Sequence, residues 1–167
     1  MLRSAVFAAA IAAALAGCGA EPQNLAAQPA SVARSPAGLD IIPLTVRSGE
    51  NRHAFRVEVA RSEDQQAQGL MFRERLGPDE GMIFPFPYTR PASFWMKNVP
   101  IPLDIIFIRA DGTIARIANA VPQSEALVSS GEPVATVLEI AGGRAAQLGI
   151  IEGDRVGWAG GPDLQKP

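Results

Sequence analysis

The chain has 167 residues, 47% of them hydrophobic and 19% charged, a balance that suits one globular domain. A formal charge of −2, with no basic run and no stripe of aromatic and basic residues, argues against a nucleic-acid partner. The single cysteine excludes an internal disulfide, so stability has to come from an apolar core.

The first eighteen residues have the parts of an export signal: Arg3 in a short basic head, an apolar body from Ala5 to Leu15, and small residues before Cys18. The body is too short to span a bilayer, which takes roughly 20 apolar residues. Leu15-Ala16-Gly17-Cys18 resembles the lipobox of bacterial lipoproteins. That resemblance implies cleavage before Cys18 and acylation of its thiol and new amino group, which gives a stable anchor where one chain alone is marginal. Gly19 rather than Asp after the cysteine implies, by the same resemblance, an outer-membrane anchor facing the periplasm. Loss of Arg3 with the signal takes the formal charge from −2 to about −3.

From Gly19 to Asp40 the chain is rich in Ala, Pro, Gln and Ser without apolar periodicity, and is expected to be a disordered tether. Extended at ~3.1 Å per residue, it reaches up to about 70 Å. The folded domain is expected from Ile41 onward. Phe55, Val57 and Val59 alternate with Arg56 and Glu58, the period of a half-buried strand. Ser62 and Gln65 make a capping box that starts a helix, with Ala67, Leu70 and Met71 as its apolar stripe and Gly77-Pro78 as its stop. Met82 begins an apolar strand, and Ser93 to Asn98 reads as another. Leu103–Arg109 and Thr113–Ala118 flank Asp111-Gly112, which predicts a hairpin. Val134–Ile140 is a third central strand, a short helix is expected over Gly143–Leu148 with Gly149 as its left-handed cap, and a tight turn leads into a last strand at Val156. These elements predict a mostly β fold, a compact sandwich or barrel of jelly-roll type with two short helices.

Several of these segments together resemble the DUF192 family: Gln68-Gly69-Leu70-Met71-Phe72-Arg73, Gly81-Met82-Ile83-Phe84, Ser93-Phe94-Trp95-Met96-Lys97-Asn98, Ile101-Pro102-Leu103-Asp104-Ile105, Val137-Leu138-Glu139, and Gly149-Ile150 with Gly153-Asp154-Arg155-Val156. Val99 departs from the Thr more usual after Lys-Asn, which removes a hydroxyl. The resemblance implies a compact, mostly β domain, often exported. It carries no catalytic mechanism.

The chemistry open to the chain is narrow. His53 is the one histidine, so a Ser-His-Asp site or a zinc site has little to draw on, and no metal or other cofactor is expected. Met71, Met82 and Met96 could together take Cu(I), although core packing explains them as well. Arg73, Trp95, Lys97, Asn98, Asp104 and Glu139 form the remaining constellation. On one face of a strand, the Trp95 indole and the Lys97 ammonium would stand side by side, a way to hold a polar ligand. Asp104 and Glu139 interrupt apolar strands, and a buried carboxylate needs partners. Three arrangements are open. Arg73 or Lys97 pairs with a carboxylate to fix the fold, or the same groups line a pocket walled by Trp95 and Phe72, or Asp104 and Glu139 work as acid and base in an envelope hydrolase. For Asp104 the expected partner is an Arg73 or Lys97 nitrogen within ~4 Å, or backbone donors in its place. The expected function is a lipid-anchored binding or accessory module of the cell envelope, its partners the membrane through Cys18 and a small polar ligand or another envelope protein.

Overall fold

Strand periodicity dominates the computed structural model, which describes residues 33–164. The lipobox, Cys18 and the tether as far as Val32 lie outside the described residues. The strands are β1 (Ala33–Arg34), β2 (Asp40–Ser48), β3 (Asn51–Val59), β4 (Glu80–Phe94), β5 (Leu103–Ile108), β6 (Ile114–Ala120), β7 (Val128–Ala141) and β8 (Arg155–Trp158). Two short helices interrupt them, α1 (Glu63–Gln68) and α2 (Arg144–Leu148). The fold is therefore mostly β with two short helices, as the sequence predicts.

The strands form one open sheet in the order β1-β2-β3-β4-β7-β5-β6, with β8 also paired to β2. All neighbours are antiparallel except β3 and β4, which the α1 segment connects as a parallel crossover. The β5–β6 hairpin meets the start of β8 through Ile114 N–H to Asp154 O and Val156 N–H to Gly112 O, both 2.8 Å. A single bridge, Thr113 with Arg155, marks that approach. The sheet thus curls without closing a ladder around itself.

Because side chains alternate along each strand, the sheet carries an apolar cluster on each face. One holds Leu70, Met82, Phe84, Met96, Leu103, Ile105, Phe107 and Val137. The other holds Leu44, Val46, Phe55, Val57, Ile83, Ile106, Ile108, Leu138, Ile140 and Val156, with Ala145 of α2 against it. Between the two, β7 runs in the middle of the sheet. At its closest point a Cβ on Gly81 of β4 would stand 2.5 Å from the Glu139 carbonyl oxygen, so only glycine lets these strands pair there.

Three sequence expectations change. Order reaches back at least to Ala33: Ala33 and Arg34 pair with Ile41 and Asp40, and Leu39 is buried in the first cluster, so the tether cannot run to Asp40. Helix α1 has the expected capping box, but it stops at Gly69 rather than at Gly77-Pro78. Gly69 at φ 47° and Phe72 at φ 62° turn the chain out of the helix, and Leu70 reaches the core from that turn rather than from a helical stripe. The expected strand through Asn98 ends at Phe94; residues 97–98 form a turn with Asn98 at φ 60°.

Candidate functional site

Strand β4 carries Pro85, Pro87 and Pro91, and its pairing with β7 shifts register between Pro85 and Arg90 and again between Pro91 and Ser93. Proline cannot donate to a ladder, so the strand bulges away from its neighbour here. The space left is a cavity of about 220 Å³ between β4, the C-terminal end of α1 and the turn that follows it. Its aromatic walls are Phe84, Phe86, Phe94 and Trp95. Phe84 and Phe94 meet edge to face with centroids 5.1 Å apart, and Phe94 continues the contact to Phe107 at 6.3 Å. Gln66 of α1 ties the wall together, its side-chain amide donating to Ala60 O at 3.2 Å and Pro85 O at 3.0 Å. The Arg90 guanidinium lies over the Phe86 ring, 4.0 Å from its centroid.

Glu139 also lines this cavity. It sits in the middle of the sheet, opposite Met82 of β4 and Ile105 of β5, and is only 5% exposed. No hydrogen bond or ion pair reaches its carboxyl among the described residues. Burial pushes the group up to about 8, because the low-dielectric surroundings disfavour its charged form. Near neutral pH it is mostly a neutral carboxylic acid facing a space that a ligand can enter.

Asp104 has the opposite surroundings. It is fully buried, and the partner is not a cation: Oδ1 accepts from Asn119 Nδ2 at 2.6 Å and Gly143 N–H at 2.9 Å, and Oδ2 accepts from Ala145 N–H at 2.8 Å. Leu103, Ile105 and Phe107 belong to one cluster and Ile106 and Ile108 to the other, which puts Asp104 on the second face with α2. Glu139 shares the face of Val137. The two carboxylates thus stand on opposite sides of the sheet and cannot share a water or a bond to be cleaved.

The other expected residues separate in the same way. Arg73 pairs with neither carboxylate but with Glu58, 2.8 Å away, and both line a second, more open cavity together with Phe72. Phe72 therefore does not wall the Trp95 cavity. The Lys97 ammonium does lie over Trp95, 5.1 Å from the ring centroid, but its ion-pair partner is the exposed Glu125 at 3.8 Å. Neither Lys97 nor Asn98 lines the Glu139 cavity. Asn98 works on the backbone: its carbonyl accepts from Phe72 N–H at 2.7 Å, while its amide lies 4.0 Å from the Met71 sulfur. Met82 and Met96 are buried in the core and Met71 packs on it. Among the described residues, no group of His, Cys, Asp and Glu is arranged to hold a metal ion. His53 is half-buried, and its Nε2 has no hydrogen-bond partner among the described residues.

Of the six, then, Trp95 and Glu139 share a cavity and the other four do not join them. Sequence reasoning missed Gln66, Arg90 and Glu58. The proline spacing of β4 was the available signal for an irregular wall at Arg90.

Comparison with known proteins places this geometry in a family context. The model of DUF192, described as "Uncharacterized ACR", matches residues 44–158. A crystal structure of a protein of unknown function from Novosphingobium aromaticivorans DSM 12444 is 50% identical, with a TM-score of 0.74, covering 77% of this chain and 94% of that one. A second, from Sinorhizobium meliloti 1021 and provisionally named a transcription regulator, is 45% identical with a TM-score of 0.72, covering 73% and 96%. No curated protein matches.

Proposed function

The chain belongs to the DUF192 family, and from that premise we propose that it is a lipid-anchored module of the bacterial cell envelope that binds a small polar ligand in the cavity over Glu139. The anchor rests on Leu15-Ala16-Gly17-Cys18 and the apolar stretch before it. Binding rests on one observation: a carboxyl 5% exposed, without a partner among the described residues, lines a cavity with aromatic walls. Burying such a group costs free energy that packing around it does not return. A ligand that satisfies it recovers that cost, and this is how concave sites with a few polar groups obtain specificity. At about 220 Å³ the space is below the roughly 300–1,000 Å³ of drug-sized sites, so the ligand is small.

Two measurements test the reading. Acyl labelling of cells should mark the wild-type chain and not Cys18→Ala; a mature wild-type chain without acyl mass defeats the anchor. For binding, the two tryptophans allow fluorotryptophan labelling of the detergent-solubilised mature protein, with Trp158 as an internal reference away from the cavity. Small polar envelope metabolites should include one that moves the Trp95 fluorine signal saturably and leaves Trp158 in place. A Trp95 signal that no compound moves defeats the binding reading.

A further inference from the structure

The chemistry of the cavity wall narrows the ligand class. Resting on the binding reading above, we propose that the ligand carries an ammonium group, held between the Glu139 carboxylate and the rings of Phe84, Phe94 and Trp95. Three observations point there. First, the described residues build an anion-holding nest for Asp104, with three N–H donors, and build none for Glu139. Where no donor is supplied, the charge that balances an ionised carboxylate has to arrive with the ligand.

Second, four aromatic residues line the same space. The face of an aromatic ring is electronegative; it attracts a cation and repels an anion, and rings combined with an acid are a recurring way to hold ammonium groups. Third, these rings already accept cations: Arg90 of the cavity lining stacks on Phe86 at 4.0 Å, and Lys97, outside the lining, stacks on Trp95 at 5.1 Å. An anionic ligand would meet the ring faces and, once Glu139 is ionised, a like charge, with Arg90 the one cation among the lining residues.

The charged groups facing Glu139 are few. Helix α1 and its following turn contribute Gln66, Gln68 and Met71, β5 contributes Ile105 and Phe107, and β4 contributes Arg90 at the exposed rim. Arg90 remains on Phe86 and does not pair with Glu139. A simple alkylammonium fits this arrangement. So does the amino end of an amino acid, whose carboxylate Arg90 can take. Ammonium is common to both.

The inference carries a proton-linkage signature. Since Glu139 is protonated near neutrality, an entering ammonium must drive the carboxyl proton into solvent. A ligand held by an acceptor oxygen would instead keep that proton in place.

The probes are butylammonium, 4-aminobutyrate and butyrate, titrated into the fluorotryptophan-labelled mature protein. Butylammonium and 4-aminobutyrate are expected to move the Trp95 signal saturably, and butyrate is not. Butylammonium affinity should rise about tenfold per pH unit from pH 6 and level off above about pH 8, as the ionised fraction of Glu139 grows. Calorimetry of the unmodified protein in buffers of different ionisation enthalpy should read close to one proton released per ligand at pH 6.5. Glu139→Gln keeps the shape of the side chain and should weaken butylammonium at least tenfold at pH 8 and flatten its pH dependence; Trp95→Ala should weaken it several-fold. A tighter 4-aminobutyrate assigns the carboxylate to Arg90, and a tighter butylammonium assigns the site to simple amines. Butyrate binding that tightens as pH falls, with the amines excluded, overturns the ammonium and leaves the binding reading standing. Amine binding unchanged by Glu139→Gln, or no Trp95 response to either amine, overturns it as well.

Discussion

Asp104 holds the first turn of α2 from the start of β5, its Oδ2 accepting the Ala145 N–H at 2.8 Å while Oδ1 accepts Gly143 N–H at 2.9 Å. The helix needs this. It is five residues long and starts from Gly143 in a left-handed conformation, with no local side chain to cap it. Free N–H groups at a helix start carry partial positive charge. Backbone donors, which the sequence allowed in place of an Arg73 or Lys97 nitrogen, thus hold Asp104, and the carboxylate is buried without a cation among the described residues.

Asp104→Ala should therefore strand three donors at once. At about 1–3 kcal/mol for each buried donor left unmade, partly offset by water entering, the loss should be at least about 3 kcal/mol in urea unfolding. Amide exchange at Ala145 should accelerate more than exchange in β2. Asp104→Asn keeps one acceptor oxygen but sets an NH₂ against an N–H, and should lose about 1–3 kcal/mol. An Asp104→Ala chain within 1 kcal/mol of wild type would show that α2 does not depend on this contact.

Much of this frame was legible in the sequence because it follows from local rules. The capping box at Ser62 and Gln65 and the Gly149 cap formed as predicted, and the hairpin turns at Asp111-Gly112, although Gly112 alone takes a positive φ, 88°. The partners of the charged residues were not legible, because sheet topology decides them. Glu58 read as the solvent side of an alternating strand. Yet β3 lies inside the sheet between β2 and β4, and the turn after α1 lays Arg73 over the face that carries the first cluster, burying Glu58 to 8% exposure. Trp95 and Lys97 do meet, but through a turn closed by Val99 N–H to Met96 O at 3.0 Å and not through a shared strand face. The two carboxylates interrupt neighbouring strands, and register alone sets them on opposite faces: Ile105, not Asp104, lies opposite Glu139.

The Arg73–Glu58 pair makes a second expectation. Arg73→Met leaves the Glu58 carboxylate buried without its partner, an error that costs roughly 3–5 kcal/mol in a fully buried pair. Here the Arg73 side chain is 30% exposed, and solvent screens part of that, so about 1–3 kcal/mol is expected. Adding Glu58→Leu to Arg73→Met should recover most of it. A double variant no more stable than Arg73→Met would mean that Arg73 acts through packing rather than charge.

Lys97→Ala should change stability by less than about 1 kcal/mol. Its ion pair with Glu125 is exposed on both sides at 3.8 Å, and such pairs contribute about 0–1 kcal/mol. Its contact with Trp95 lies at the exposed end of the cation–π range, roughly 0.5–1 kcal/mol. A loss above 2 kcal/mol in urea unfolding would contradict this surface placement.

Glu139 gives the fold an acid-side optimum that Glu139→Gln should abolish. Its carboxyl is raised from 4.5 to about 8 in the folded chain, so between those values the folded state keeps a proton that the unfolded state has released. Raising the pH then favours unfolding. The group's contribution is greatest below about pH 4.5, declines by about 1.4 kcal/mol per pH unit, and is fully lost above about pH 8. At pH 7 the loss is roughly 3 kcal/mol. Glutamine cannot ionise, so Glu139→Gln should be more stable than wild type by about that amount at pH 7, with the two converging near pH 4. Glu132 acts in a separate window and with the opposite sign. Its hydrogen bonds to Arg109 hold it below the usual carboxylate range, and its stabilisation is lost as pH falls through that lowered value. Urea unfolding of both chains at pH 4.5, 7 and 8.5 reads the Glu139 window clear of it. Parallel stability curves would mean that the carboxyl is paired in the folded protein, and would remove the basis for a ligand at that point of the sheet.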